Sequence, residues 1–307
     1  MSPAPGWRKW ARRLAPYVIT AAVIALILRK HPAAQIAEEI QRGQAIWLPV
    51  VAVVKLIVSL ILISLADYIV VRGLFGRFTF WDMCRAKASS SLMDLIGYAW
   101  GHGGYAFWIG RKGRVGAAGA GGAMLFIMAG DLAAVCIVAT LAIAVSDVEV
   151  SRAISVTAPV IAGLLLFFLA TGRVGLIPRE RTPKIFLPWR DLDPWRSFAQ
   201  LAVRTVQIVG FILSTWVAAR LFGLDIPFKV MATYFPVVLL IGAIPINVAG
   251  FGAVQAAWLL FEGYATGAQI LAFQFLWTLC MAAAVVLRGL PFVKRFVDEI
   301  ARGRSAE

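Results

Sequence analysis

Six apolar runs, at residues 14–28, 45–71, 119–145, 154–171, 195–221 and 268–287, recur along this 307-residue chain. Their lengths lie near the roughly 20 residues that an α-helix needs to cross a bilayer's hydrocarbon core. Inside hydrocarbon, every backbone polar group must find its partner within the protein, so such a chain is restricted to helices packed on helices. Composition agrees: 61% of residues are hydrophobic, 15% are charged and the mean hydropathy is +0.81. The expectation is an all-α polytopic membrane protein, a single integral membrane domain over residues 1–307. Its first run follows Arg8, Lys9, Arg12 and Arg13, but Leu28-Arg29-Lys30-His31 offers no small-residue cleavage site. That run reads as a retained span rather than a signal peptide.

Two further apolar segments are broken. Gly97, Gly101, Gly103 and Gly104 interrupt residues 80–109, while Pro236, Pro245, Gly250 and Gly252 interrupt residues 228–261. Neither suits a straight span. They occupy matching places in two similar halves, about residues 14–146 and 154–288. Trp47 and Trp195, Arg72 and Arg220, Phe80 and Phe228, Gly104 and Gly252, and Gly119 and Gly267 are all 148 positions apart. Leu74-Phe75-Gly76 and Leu221-Phe222-Gly223 match one residue out of step. The order span, span, broken segment, span occurs twice, as internal duplication of a transporter-like fold produces.

The formal net charge of +14 reads as orientation rather than as nucleic-acid binding, because no soluble segment is long enough to present a basic face. Lys and Arg gather on the cytoplasmic side of membrane proteins. If both broken segments crossed, the basic residues of 172–193 would lie outside together with Arg111, Lys112 and Arg114. If both dip in and return, these groups become cytoplasmic, along with the N-terminal cluster, Arg288, Lys294, Arg295, Arg302 and Arg304. The preferred architecture is therefore about six spans plus two re-entrant helical hairpins in an inverted internal repeat. Both termini are then cytoplasmic and Asp147 is external. Residues 33–42 form a short amphipathic stretch suited to the interface.

The candidate site residues cluster at the breaks. Lys87 and Asp94, seven apart, share a helix face, and Arg85 lies slightly off it. Intramembrane charges face the bundle interior or a wet cavity, so the two form either an internal ion pair or a polar lining. His102 stands among Gly101, Gly103 and Gly104; its titration range suits a proton carrier, and glycine loops can turn amides toward a phosphate. In the second break Pro245 and Asn247 precede Gly250 and Gly252, with Gln255 following, and the amides of Asn and Gln can satisfy freed backbone groups or bind substrate. Asp131, Arg204, Lys55 and Asp67 lie within spans and are expected to pair among themselves. Trp100 and Trp108 read as interfacial anchors. Cys84, Cys136 and Cys280 lack metal-ligand spacing and read as packing residues.

On Gly101-His102-Gly103-Gly104-Tyr105-Ala106-Phe107-Trp108-Ile109-Gly110-Arg111, on Gly130-Asp131-Leu132, and on Ile244-Pro245-Ile246-Asn247-Val248-Ala249-Gly250-Phe251-Gly252-Ala253-Val254-Gln255, the chain resembles the flippase-like family of lysylphosphatidylglycerol synthase transmembrane regions. The resemblance covers most of the chain. It implies a membrane-embedded lipid translocase in its stand-alone form, without the soluble aminoacyl transferase domain that some members carry. Taken together with the charges read at the first break, the candidate substrate-binding residues are Arg85, Lys87, Asp94, His102, Gly103, Gly104, Tyr105, Arg111, Asp131, Pro245, Asn247, Gly250, Gly252 and Gln255. Where members often carry an acidic residue, this chain has Gln255.

Three functional classes follow. A translocase would move a polar or anionic lipid across the bacterial inner membrane through a cavity between the hairpins. A membrane-embedded transferase would need a positioned acid and base, for which Asp94 and His102 are the pair near a break. A non-transporting scaffold would hold a lipid-synthesis enzyme as partner. No phosphate-binding loop of the GKS or GKT type occurs and no metal set is recognisable, so no cofactor, metal ligand or catalytic motif is expected.

Overall fold

The computed structural model describes residues 6–96, 98–148, 151–171, 183–243 and 251–302. Among them the regular structure is helical, with no β-strand. Helix α1 (Gly6–Lys30) is followed by α2 (Ala33–Arg42) after a bend of 79°, which sets the amphipathic α2 across the direction of α1. Then come α3 (Leu48–Phe75), α4 (Phe80–Ile96), α5 (Tyr98–Gly113), α6 (Ala117–Val145) and α7 (Arg152–Thr171). The second half holds α8 (Leu187–Asp191), α9 (Pro194–Phe222), α10 (Phe228–Ala243), α11 (Ala253–Trp258) and α12 (Gly267–Arg302).

Among the described residues four helices are long and apolar enough to cross a membrane: α3 with the turn before it, α6, α9, and α12 as far as Glu299. The other two expected spans correspond to α1 and to α7, whose described part Ile154–Leu166 is apolar. Large apolar side chains such as Val50, Val54, Ile57 and Ile61 on α3 and Val206, Val209 and Leu213 on α9 point outward. A soluble protein would bury such a face. The architecture is that of a helical membrane protein.

Local sequence explains the helix limits. Pro49 stands in the first turn of α3 and Pro194 opens α9, where a missing N–H costs nothing. Gly76 and Gly223 close the same two helices in the left-handed conformation, with φ of 71° and 101°, a conformation that glycine adopts without steric penalty. The Leu-Phe-Gly pair of the sequence is thus a matched helix terminator.

Packing relates the halves reciprocally. Helices α3 and α9 lie against one another, α3 also meets α12 as α9 meets α6, and α4 meets α12 as α10 meets α6. The direction is readable from side chains. Gly43 lies against Phe222, Lys55 reaches Thr215, Asp67 reaches Arg204 and Arg196 reaches the Ile69 carbonyl. As one number rises the other falls, so α3 and α9 run antiparallel.

Each broken segment turns back on itself. In the first, Phe78 meets Gly113 and Asp82 pairs with Lys112 at 2.6 Å, while at the far end Met93 meets Gly104 and Asp94 meets Gly101. Helices α4 and α5 form an antiparallel hairpin. In the second, Gly242 meets Val254, and Phe235 and Tyr234 pack their rings on Trp258 and Phe261 at 5.6 and 6.2 Å. Here the returning arm is only the six residues of α11 plus one 3₁₀ turn.

Candidate functional site

A cavity of about 490 Å³ lies where the two hairpins approach each other. Its walls come from α3, α4, α9, α10, α11 and α12, and its polar lining includes Lys55, Ser59, Ser91, Asp94, Gln274, Thr278 and Arg288. Gly242 and Val254, which flank the second break, and Asp94, which precedes the first, face the same space.

Asp94 is held by its own hairpin. His102 Nδ1 lies 3.3 Å from Asp94 Oδ1, an ion pair when the imidazole is protonated. Gly101 makes this possible, because a methyl group there would overlap the carboxylate and stand 2.9 Å from the Asp94 backbone nitrogen. Lys87, the partner suggested by the seven-residue spacing, instead places its ammonium 5.0 Å from the centre of the Tyr105 ring. Hydrogen bonds from Ser90 and Ser91 to the Lys87 carbonyl, at 3.2 and 2.6 Å, turn those hydroxyls back onto their own helix. Arg288 then reaches across from α12, donating to Ser91 Oγ at 2.7 Å and to the Leu56 carbonyl at 3.1 Å. Arg288 lies just past the end of the apolar run 268–287, and α12 continues through it to Arg302.

A second polar cluster joins three long helices. Arg204 on α9 pairs with Asp67 on α3 and, at 2.6 Å, with Asp131 on α6; it also donates to Gln207 at 3.0 Å. Arg204 is 3% exposed and Asp67 fully buried. Helix α4 packs on α3 and α5 on α6, so this cluster adjoins the hairpin that carries Asp94. The expected pairing among intramembrane charges holds for Asp67, Asp131 and Arg204. Lys55 stands apart from it.

The remaining candidates divide. Gln255 is buried, accepts from the Gly252 amide and donates to Gln274 Oε1 at 2.9 Å, and Gln274 donates in turn to Thr278 Oγ1 at 2.9 Å. This chain ties the start of α11 to the cavity wall. Gly252 has φ 123° and ψ −120°, as the glycine-loop reading expects. By contrast, Gly103 and Gly104 lie inside α5, so their amides belong to the helix and not to an open phosphate loop; Gly104 serves close approach to Met93. Tyr105 is buried and stacks on Trp108. Trp108 is not an interfacial anchor: it is 1% exposed and donates to Glu299 at 2.8 Å, whereas Trp100 is 71% exposed. Arg85 faces a small cleft with Asp82, Arg295 and Glu299, and Arg111 lies over the Phe107 ring; neither lines the cavity. Pro245, Asn247 and Gly250, like residues 172–182 of the basic loop, lie outside the described residues.

Sequence reasoning did not select Lys55, Gln274 or Arg288 for the site. For Lys55 the available signal was a Lys inside an apolar run, which marks function by default in a membrane. No protein-family model matches the chain, and no curated protein sequence matches it.

Proposed function

We propose that this protein is a lipid translocase of the flippase-like type, moving a polar or anionic lipid across the bacterial inner membrane. The single observation that carries the reading is a mainly apolar cavity with a few polar and charged groups in its lining, to which both hairpins contribute walls, within a bundle that presents apolar faces outward. Transport folds place their sites at such paired breaks between repeats. In this reading α4 and α5 form a re-entrant hairpin. At 17 and 16 residues they extend only about 25 Å each, and α4 carries Asp82, Arg85, Lys87 and Asp94. Antiparallel packing of α3 on α9 supports inverted repeats, with the second hairpin entering from the opposite face. The basic residues near Arg111 and the two termini are then cytoplasmic, and Asp147 is external.

The mechanism places the headgroup in the cavity while the chains stay in the bilayer. Lys55 and Arg288 give the lining two cationic groups against the one carboxylate of Asp94, which favours a negatively charged or phosphate-bearing head. Asp94 and His102 form the movable polar element at the first break. A transferase acting on a lipid-linked substrate is the second reading, favoured by the approach of His102 to a carboxylate that faces the cavity.

Reconstitution into liposomes with a panel of fluorescent lipids tests both. The wild-type protein is expected to accelerate movement of labelled phosphatidylglycerol between leaflets, and Asp94→Asn and His102→Gln to slow it while keeping detergent stability. Absence of movement for every lipid in the panel would refute translocation, and a new covalent product from a lipid-linked donor would establish the transferase.

A further inference from the structure

Lys55 is a buried cation that the ion-pair clusters leave over. It sits in the first third of α3, 5% exposed, and its ammonium donates to Thr215 Oγ1 at 3.2 Å and lies 3.3 Å from the centre of the Phe211 ring and 4.8 Å from that of Trp277. Among the described residues no carboxylate lies within ion-pair distance of it. Arg204, by comparison, has two. Aromatic faces and one hydroxyl offset only part of the cost of desolvating an ammonium.

Two spaces meet at this side chain. One is the cavity between the hairpins. The other is a groove of about 440 Å³ between α3 and α9, walled by Val50, Val54, Val58 and Leu213. Lys55, Ser59 and Phe211 line both. The valine and leucine walls are about half exposed on the outward face, and Gly210 leaves open space where any other residue would place a side chain. Both volumes fall in the range of ordinary small-molecule sites.

We propose that Lys55 anchors an anionic lipid whose headgroup lies in the cavity between the hairpins beside Arg288 and one of whose apolar chains lies in the α3–α9 groove. This rests on the translocase reading for its biological sense but concerns binding alone. The anion supplies the countercharge that Lys55 lacks, and the groove gives the chain a path from cavity to bilayer without drawing the head into hydrocarbon. Charge complementarity and the lining shared by the two spaces select this occupant over an uncharged lipid or a free anion.

The test measures binding to the purified full-length protein by thermal stabilisation and tryptophan fluorescence. The probes are dioctanoyl phosphatidylglycerol, glycerol phosphate as head alone, and dioctanoylglycerol as chains without charge. The phospholipid is expected to bind best. Lys55→Met should weaken it by at least about tenfold, since an anion would then be left without its buried partner, whereas Lys55→Arg should restore most of the affinity. Gly210→Leu, which fills the groove and leaves every charge in place, should weaken the phospholipid but not glycerol phosphate. It keeps the proposal testable if Lys55→Met fails to fold. Equal affinity of wild type and Lys55→Met, or glycerol phosphate binding as tightly as the phospholipid, would overturn the site. Lipid movement in liposomes, measured on the same proteins, separates the two ideas: binding as described with no movement sinks the translocase reading and upholds the site, while movement without Lys55-dependent binding does the reverse.

Discussion

Arg204 shows what a single residue must do when charge is buried among long helices. It holds Asp67 and Asp131 from two other helices, so its removal leaves a fully buried carboxylate uncompensated. Arg204→Met should destabilise the protein by roughly 3–5 kcal/mol, and adding Asp67→Asn should recover part of that loss. Thermal melts in detergent of the two single variants and the double variant check this; a single variant as stable as wild type would show that the cluster is hydrated. The presence of these charges inside apolar runs was legible in the sequence, and so was the expectation that they pair. Which pairs form was not, because that depends on how each helix is rotated toward its neighbours. Lys87 and Asp94 share a helix face, yet Asp94 meets His102 on the returning arm, at a distance set by the hairpin turn rather than by the α4 register. The contacts of Arg288 were not legible for a related reason: hydropathy falls near residue 287, but α12 continues.

At the scale of elements, the glycines divide by context. Gly101, Gly103 and Gly104 read as a loop because each glycine disfavours a helix by about 1 kcal/mol. The structure keeps them helical. Membrane surroundings favour internally bonded backbone, and close approach to Asp94 and Met93 needs the missing side chains. Gly252 follows the opposite rule, with backbone angles open to glycine almost alone. Gly101→Ala should therefore push α4 and α5 apart and disturb Asp94, while Gly252→Ala should strain the start of α11 by roughly 1–3 kcal/mol. Hydrogen exchange of the two hairpins reads each effect separately. Faster exchange in α4–α5 is expected for the first variant and in α10–α11 for the second. Unchanged exchange in both would show that these contacts carry little of the hairpins' stability.

For the whole molecule, the 148-residue offset and the repeated order of spans and breaks lead to the expectation of two similar halves, and helices of the two halves pack reciprocally. The antiparallel meeting of α3 and α9 was not legible, because sequence similarity carries no direction in space. The unequal return arms, 16 residues in α5 and six in α11, likewise escaped the sequence, since Gly and Pro mark a break without fixing how far the chain runs back. Together these features lead to the central claim, that two hairpins enter one shared cavity from opposite sides of the membrane. Sidedness is the most direct measurement. In a background with Cys84, Cys136 and Cys280 replaced, Arg114→Cys reports the open end of the first hairpin and Lys229→Cys that of the second. Labelling of intact cells and of inverted vesicles with a membrane-impermeant maleimide should find position 114 only from the cytoplasm and position 229 only from outside; both positions reacting from one face would contradict the account.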